Sequence, residues 1–188
     1  CWDPYEIWDD TPRLDDGAIK PVDVNAYLAI QMQACAELAY ILGVPGQAAA
    51  WNRRRQQLMQ RIRQSMYSPH ANLFFDVRVD DGRQRPLKTP AAFMPLLLAD
   101  FPLPAAAKAA MVGNWLLSPR FFFGPVPFPV VAYDEPSYQP DHWWRGPVWL
   151  PIAYLMLEVL RVNGFPMERQ VAACRLVEIA QDDGKLSE

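Results

Sequence analysis

The chain has 188 residues, 51% of them in the hydrophobic class and 21% charged, which supports one buried core and excludes a disordered or fibrous polypeptide. Eighteen Lys and Arg against 21 Asp and Glu give a formal charge of −3, with no basic cluster of the size a polyanion needs, so nucleic acid is excluded as a partner. No run approaches the roughly 18 apolar residues of a membrane span, and Cys1-Trp2-Asp3-Pro4 is not a leader, so no membrane partner and a cytoplasmic location are expected. Cys1, Cys35 and Cys174 are too far apart for a disulfide framework or a zinc site; Cys35 and Cys174 read as small apolar core residues.

Pro4 and Pro12 interrupt the first 20 residues, which read as a loop carrying acidic and aromatic groups. From Pro21 to Gly43 a helix is expected, with Val24, Leu28, Cys35, Leu38, Ile41 and Leu42 on its apolar stripe. A second helix should run from about Gln47 to Met66 and turn Trp51, Leu58, Met59 and Ile62 inward; its Arg53, Arg54, Arg55, Arg61 and Arg63 read as a solvated face. Between Asn72 and Arg85, Leu-Phe-Phe-Asp-Val-Arg-Val followed by Asp-Asp-Gly predicts one small β-hairpin. Thr89-Pro90 caps a short helix that Pro102 ends, and Pro104 opens another through Leu117. Residues 120–145 hold five prolines between Gly124 and Pro140 and no helical period, so they predict a long ordered loop with a function. Pro147 should start a helix through Val162, and Pro166 the last, through Ala180. About six helices in succession indicate an all-α stack of hairpins in a single domain over residues 1–188.

Two loops carry the chemistry. The first, Trp8-Asp9-Asp10-Thr11-Pro12-Arg13-Leu14-Asp15-Asp16, surrounds an arginine with carboxylates; the second, 141–149, sets Trp143, Trp144 and Trp149 around Arg145 and Gly146. Indole faces stack on pyranose C–H groups while carboxylates and guanidinium groups bind hydroxyls, so the pair suits a sugar. Glycoside cleavage needs two carboxylates; Asp9, Asp10, Asp15 and Asp16 offer one, and Glu6, Glu135, Glu158, Glu168 and Glu178 are candidates for the other by residue type alone. Two other readings stand beside it. The spacing Asp9-Asp10 to Asp15 is that of a Mg²⁺-dependent prenyl diphosphate transferase, although Pro12 breaks the helix such a site uses. The third is a non-catalytic sugar-binding remnant that keeps the Trp platform.

The runs WDDTPRLD and VDVNAYL, with the later FPVVAYDEPSYQPDHWWRGPVWLPIAYLMLEVL, resemble the signatures of glycoside hydrolase family 63 and its relatives, the α-glucosidase-like and mannosylglycerate hydrolase-like enzymes. The resemblance implies an (α/α)6 toroid of six helical hairpins, of which this chain would be a partial barrel. It implies inverting cleavage of an α-glycosidic bond in an oligosaccharide or small glycoside, with neither metal nor other cofactor. It assigns the general acid to Asp9 and, four residues after Gly184, the general base to Glu188. It lines the sugar subsite with Trp143, Trp144, Gly146 and Trp149, to which the composition of the two loops adds Trp8, Asp10, Arg13 and Arg145 as substrate-binding candidates. The carboxyl groups of an inverting pair stand about 6.5 to 9.5 Å apart, leaving room for water, and the acid needs a raised pKa, to which Asp10 contributes and which Arg13 opposes. Tyr5-Glu6-Ile7 and His142-Trp143 depart from the family's usual Glu-Ser-Gly and Gly-Tyr, changes that bear on the substrate. A partial barrel should also expose apolar helix faces for the remainder to cover.

Overall fold

Val22, Ala26, Ala29, Ala36 and Ala39 lie on one side of helix α1 (Val22–Ile41), and their small side chains let it seat closely on helix α2 (Pro45–Met66). A computed structural model describes residues 11–15 and 17–182 of the chain. Leu42 to Val44 join the two helices; Gly43 takes φ +71°, the left-handed turn that ends α1. Met59 and Ile62 of α2 are buried as expected, while Trp51 is half-buried.

The stripe expected to face the core does the opposite. Val24, Leu28, Leu38, Ile41 and Leu42 are all exposed, and Ile41 and Leu42 are about three-quarters open. Positions 24, 28, 35, 38 and 42 fall on one face of α1, roughly opposite the buried alanines. Helix α1 is therefore apolar on two sides, the pattern of a helix enclosed from both directions. Cys174, expected in the core, is also exposed, next to open Met167 and Val171.

The β structure exceeds one hairpin. Strand β1 (Ile19–Lys20) pairs antiparallel with β4 (Asp76–Arg78), which pairs with β5 (Gln84–Arg85), in the order β1-β4-β5. Asp76 stands opposite Arg85, and Ile19 opposite Arg78. A separate ladder joins β2 (Tyr67–Ser68) to β3 (Leu73–Phe74). Thus the predicted hairpin exists, and the entry segment of the chain has added a third strand to it.

Pro90–Leu97 forms a tight 3-10 segment in place of an α-helix; in an α-helix the Pro95 ring would collide with the carbonyl of Ala91 four residues back. Its residues from Pro90 to Leu96 are buried, and it packs between α1 and helix α4 (Leu150–Val162). Helix α3 (Ala105–Met111) widens into a π-turn over Val112–Leu116. Helix α4 begins at Leu150, not Pro147. A start at Pro147 would put Pro151 in the helix interior, where its ring collides with the carbonyl four residues back; the later start leaves it in the first turn. Helix α5 (Pro166–Asp182) packs against α4, the second helical pair after α1 and α2.

The core runs through the middle of this all-α arc. Phe93 meets Phe122 and Phe74 meets Phe101, each edge to face at 5.3 Å, and Met111, Leu116 and Met156 close around them.

Candidate active site

Thr11 begins the described part of the acidic loop: its hydroxyl oxygen accepts the Arg13 N–H at 3.4 Å and caps the short turn Pro12–Leu14. The Arg13 guanidinium then reaches two elements. Its Nε and Nη2 donate to the Asp76 carboxylate at 2.7 and 2.8 Å, and its Nη1 and Nη2 donate to Asp23 at 2.8 and 2.9 Å. Asp76 is 7% exposed, and its Oδ1 also accepts the Val22 N–H at the head of α1. Burial works to lower the Arg13 pKa, but the hydrogen bonds and charges of Asp23 and Asp76 overcome it and leave the group raised. Burial works to raise the Asp23 pKa; the Arg13 hydrogen bonds and charge prevail, and the carboxyl is held below its ordinary value.

This cluster gives stability a definite pH dependence. A carboxyl whose folded pKa lies below its unfolded value of about 4 stabilises the fold above that pH, and the contribution disappears as pH falls through the lowered folded value. Asp23→Asn is expected to cost about 2 kcal/mol at pH 7, the worth of a charge-assisted hydrogen bond. The difference from the unmodified protein should shrink below about pH 4, where the unfolded carboxyl takes up its proton. Denaturant midpoints measured at pH 7 and pH 3 read both effects.

The long proline-rich stretch that leads into the second loop, residues 120–145, is ordered by hydrogen bonds, as expected. Tyr133 donates its hydroxyl proton to the Val126 carbonyl at 2.6 Å and accepts the Val126 N–H at 3.1 Å. Lys88 bridges Asp134 and Glu135, both at 3.0 Å. Glu135, a candidate second carboxylate by type, is thereby committed to a structural pair. Phe128 is fully buried at φ +66°, a costly conformation for a bulky residue, and its N–H is fixed to the Phe122 carbonyl at 2.7 Å. Two residues on, the Val130 N–H meets the Pro147 carbonyl, which brings Val130 and Val131 beside the start of α4.

Gly146 is buried where the loop crosses itself. A Cβ there would stand 2.1 Å from the Gln139 carbonyl oxygen and 2.7 Å from the Pro140 Cα, so only glycine fits. Across this crossing the Gln139 N–H donates to the Arg145 carbonyl, and the Gly146 N–H to that of His142. The result presents Trp144 against Trp149, edge to face with centroids 5.0 Å apart. The Trp144 indole Nε1 is buried and has no acceptor among the described residues.

The two loops meet. A cavity of about 590 Å³ is lined by Thr11 to Leu14 on one side, Trp144 and Trp149 on another, and Tyr27, Met94 and Val131 between them. Arg145 closes the contact by donating to Asp15 at 2.9 Å. Of the residues proposed for the site, Arg13, Trp144 and Trp149 therefore share one cavity; Arg145 ties the loops together and Gly146 shapes the second. Trp143 is 41% exposed and is not among the cavity's lining residues. Trp8, Asp9, Asp10 and Glu188 lie outside the described residues, and with them the separation of the two proposed catalytic carboxyls. Among the described residues no cluster of acidic, His or Cys side chains could hold a metal ion, and no helix is long and apolar enough to cross a membrane. Asp23 and Asp76 went unassigned in the sequence. A lone aspartate inside Leu-Phe-Phe-Asp-Val was the available signal, since a carboxylate buried among apolar strand residues requires a cation.

The mostly helical fold, with its cavity between the acidic loop and the tryptophans ahead of α4, is shared with toroidal glycosidases. The chain belongs to the family described as the mannosylglycerate hydrolase MGH1-like glycoside hydrolase domain, whose model matches residues 2–185. It is 26% identical over 173 residues to a mannosylglycerate hydrolase from Thermus thermophilus, covering 87% of this chain and 37% of that protein. It is 22% identical to the mannosyl-oligosaccharide glucosidase of Saccharomyces cerevisiae, over 81% of this chain and 19% of the other. The crystal structure of a family 63 mannosylglycerate hydrolase from Thermus thermophilus in complex with Tris superposes with a TM-score of 0.72 at 23% identity, over 96% of this chain and 41% of that one. A neutral trehalase from Saccharomyces cerevisiae gives 0.77 at 19% identity, over 93% and 34%. The chain thus spans well under half the length of these relatives. Family membership removes the ground for the prenyl transferase reading, and Asp15, one of its three aspartates, is engaged by Arg145.

Proposed function

We propose that this chain carries part of the active centre of an inverting glycoside hydrolase that acts on an α-glycosidic bond. The observation behind this reading is the cavity that joins residues 11–14 to Trp144 and Trp149, because it pairs the acid-bearing loop with an aromatic sugar platform. Protonated Asp9 gives its proton to the glycosidic oxygen as the bond to the anomeric carbon breaks. Glu188 takes a proton from a water whose oxygen bonds to that carbon from the opposite face, and the sugar leaves with inverted configuration. Trp144 and Trp149 stack on the ring, Trp143 and Trp8 add further aromatic faces, and Asp10 binds hydroxyls. The substrates in the relatives' names, mannosylglycerate and a mannosyl-oligosaccharide, make a short glycoside or oligosaccharide the substrate class.

The outward stripe of α1 supplies the complement to the short span of the chain. Val24, Leu28, Leu38 and Leu42 form an apolar flank, and Met167 and Val171 of α5 form another, where further helical hairpins of the same toroid would seat.

The test is hydrolysis of α-glucosides and α-mannosides by the protein, with proton NMR of the first sugar anomer released. Release of the β-anomer is expected. Trp144→Ala should raise KM about tenfold, the worth of one aromatic contact. Binding of glycosides without turnover would support the sugar-binding remnant, and release of the α-anomer would contradict the inverting assignment.

A further inference from the structure

We propose that Arg13 is a positioning residue: together with Asp23 and Asp76 it anchors residues 11–15 at the cavity mouth, and it is not a ligand for the sugar. Four of its N–H groups are already given to two carboxylates in bidentate geometry. Asp76 cannot swing toward another partner, because it is buried and also holds the Val22 N–H. One Nη1 N–H is left over, so a sugar hydroxyl could take a single bond from this guanidinium; any closer, bidentate hold would have to displace a charged acceptor, which is an unfavourable exchange.

The same short segment is held from other directions. Arg85 of β5 donates to the Pro12 carbonyl at 2.6 Å, and Arg145 of the tryptophan loop donates to Asp15. Segment 11–15 is thus tied to α1, β4, β5 and the second loop. Asp76 and Arg85 do not line the cavity, so β4 and β5 act on it through Arg13 and Pro12, while β1 lines it directly with Ile19. Asp9 lies four residues before Arg13, and an extended chain of that length spans no more than about 14 Å, so the anchor limits where its carboxyl can be placed. This inference rests on the function proposed above only in taking Asp9 as the group presented.

Asp76→Asn keeps the shape of the side chain and removes the charge; Arg13→Lys keeps the charge and removes the fork. In both variants the amides of Thr11, Arg13, Leu14 and Asp15 should exchange with solvent at least tenfold faster, while those of α4 keep their rate. On a glycoside the protein cleaves, kcat should fall at least tenfold with KM within twofold. Should Asp76→Asn fail to fold, Arg13→Lys carries the same readouts. Unchanged exchange at 11–15 overturns the anchor, and a raised KM with kcat retained in Arg13→Lys would make Arg13 a sugar ligand instead. If the unmodified protein cleaves no glycoside, the proposed reaction falls, and the exchange rates still decide whether the anchor exists.

Discussion

Gly146→Ala is expected to reduce kcat/KM on the order of 100-fold, although it adds a single methyl group and removes nothing that could touch a sugar. The added carbon would stand 2.1 Å from the Gln139 carbonyl oxygen, 2.6 Å from its carbon and 2.7 Å from the Pro140 Cα. All three are backbone atoms, so no side-chain rotation relieves the contact and the loop must open. Opening it strains the Gln139 to Arg145 and His142 to Gly146 hydrogen bonds and shifts the indoles on either side of the crossing. A displacement of about 1 Å in a substrate-positioning group costs about 100-fold in rate. Overpacking of this kind costs roughly 1–3 kcal/mol of stability, so the thermal midpoint should fall without loss of the fold. Gly46→Ala, in the first turn of α2 where a Cβ meets nothing within 4 Å, is the control and should be neutral or slightly stabilising. Near-normal activity for Gly146→Ala would mean that the loop crossing does not set the position of the tryptophans.

Gly146 also shows what kind of information the sequence carried. Its place beside Trp144 and Arg145 marked it as part of the site, but its reason is a backbone crossing with a residue seven positions earlier, which no local pattern expresses. Most helices were legible because proline and glycine punctuate them: α2, α4 and α5 each carry a proline in the first turn, and Gly43 and Gly164 follow α1 and α4. Proline also misled where it stood close to a second one. Pro147 offered a start for α4 that Pro151 forbade, and Pro95 turned the expected helix after Thr89 into a 3-10 segment.

The α1 stripe failed for a different reason. Hydrophobic periodicity reports which face avoids water, and α1 has two such faces. The larger side chains drew the assignment, whereas the alanines made the contact, because close helix packing selects for small residues and not for large ones. The site was legible as residue types: acids, an arginine and indoles on two loops. The partners of Arg13 were not, since Asp76 is 63 positions away and joins it only when β1 and β5 flank β4.

Asp9→Asn should lower kcat on an unactivated α-glycoside by about 10² to 10⁴, the range for loss of a general acid. The amide cannot protonate the departing oxygen, so the deficit must depend on how much that oxygen needs the proton. An aryl glycoside whose phenol leaves readily needs it little, and with such a substrate the same variant should recover most of its rate. Glu188→Gln should behave differently. Its carboxylate activates the attacking water, a requirement independent of the leaving group, so the loss should be as large for the aryl glycoside as for the alkyl one. Measuring both variants on both substrates separates the two roles even if their absolute rates are modest. An Asp9→Asn deficit equal on the two substrates would move the acid to another residue of the loop, with Asp10 the first to be tested. Recovery of Glu188→Gln on the aryl substrate would mean that Glu188 is not the base.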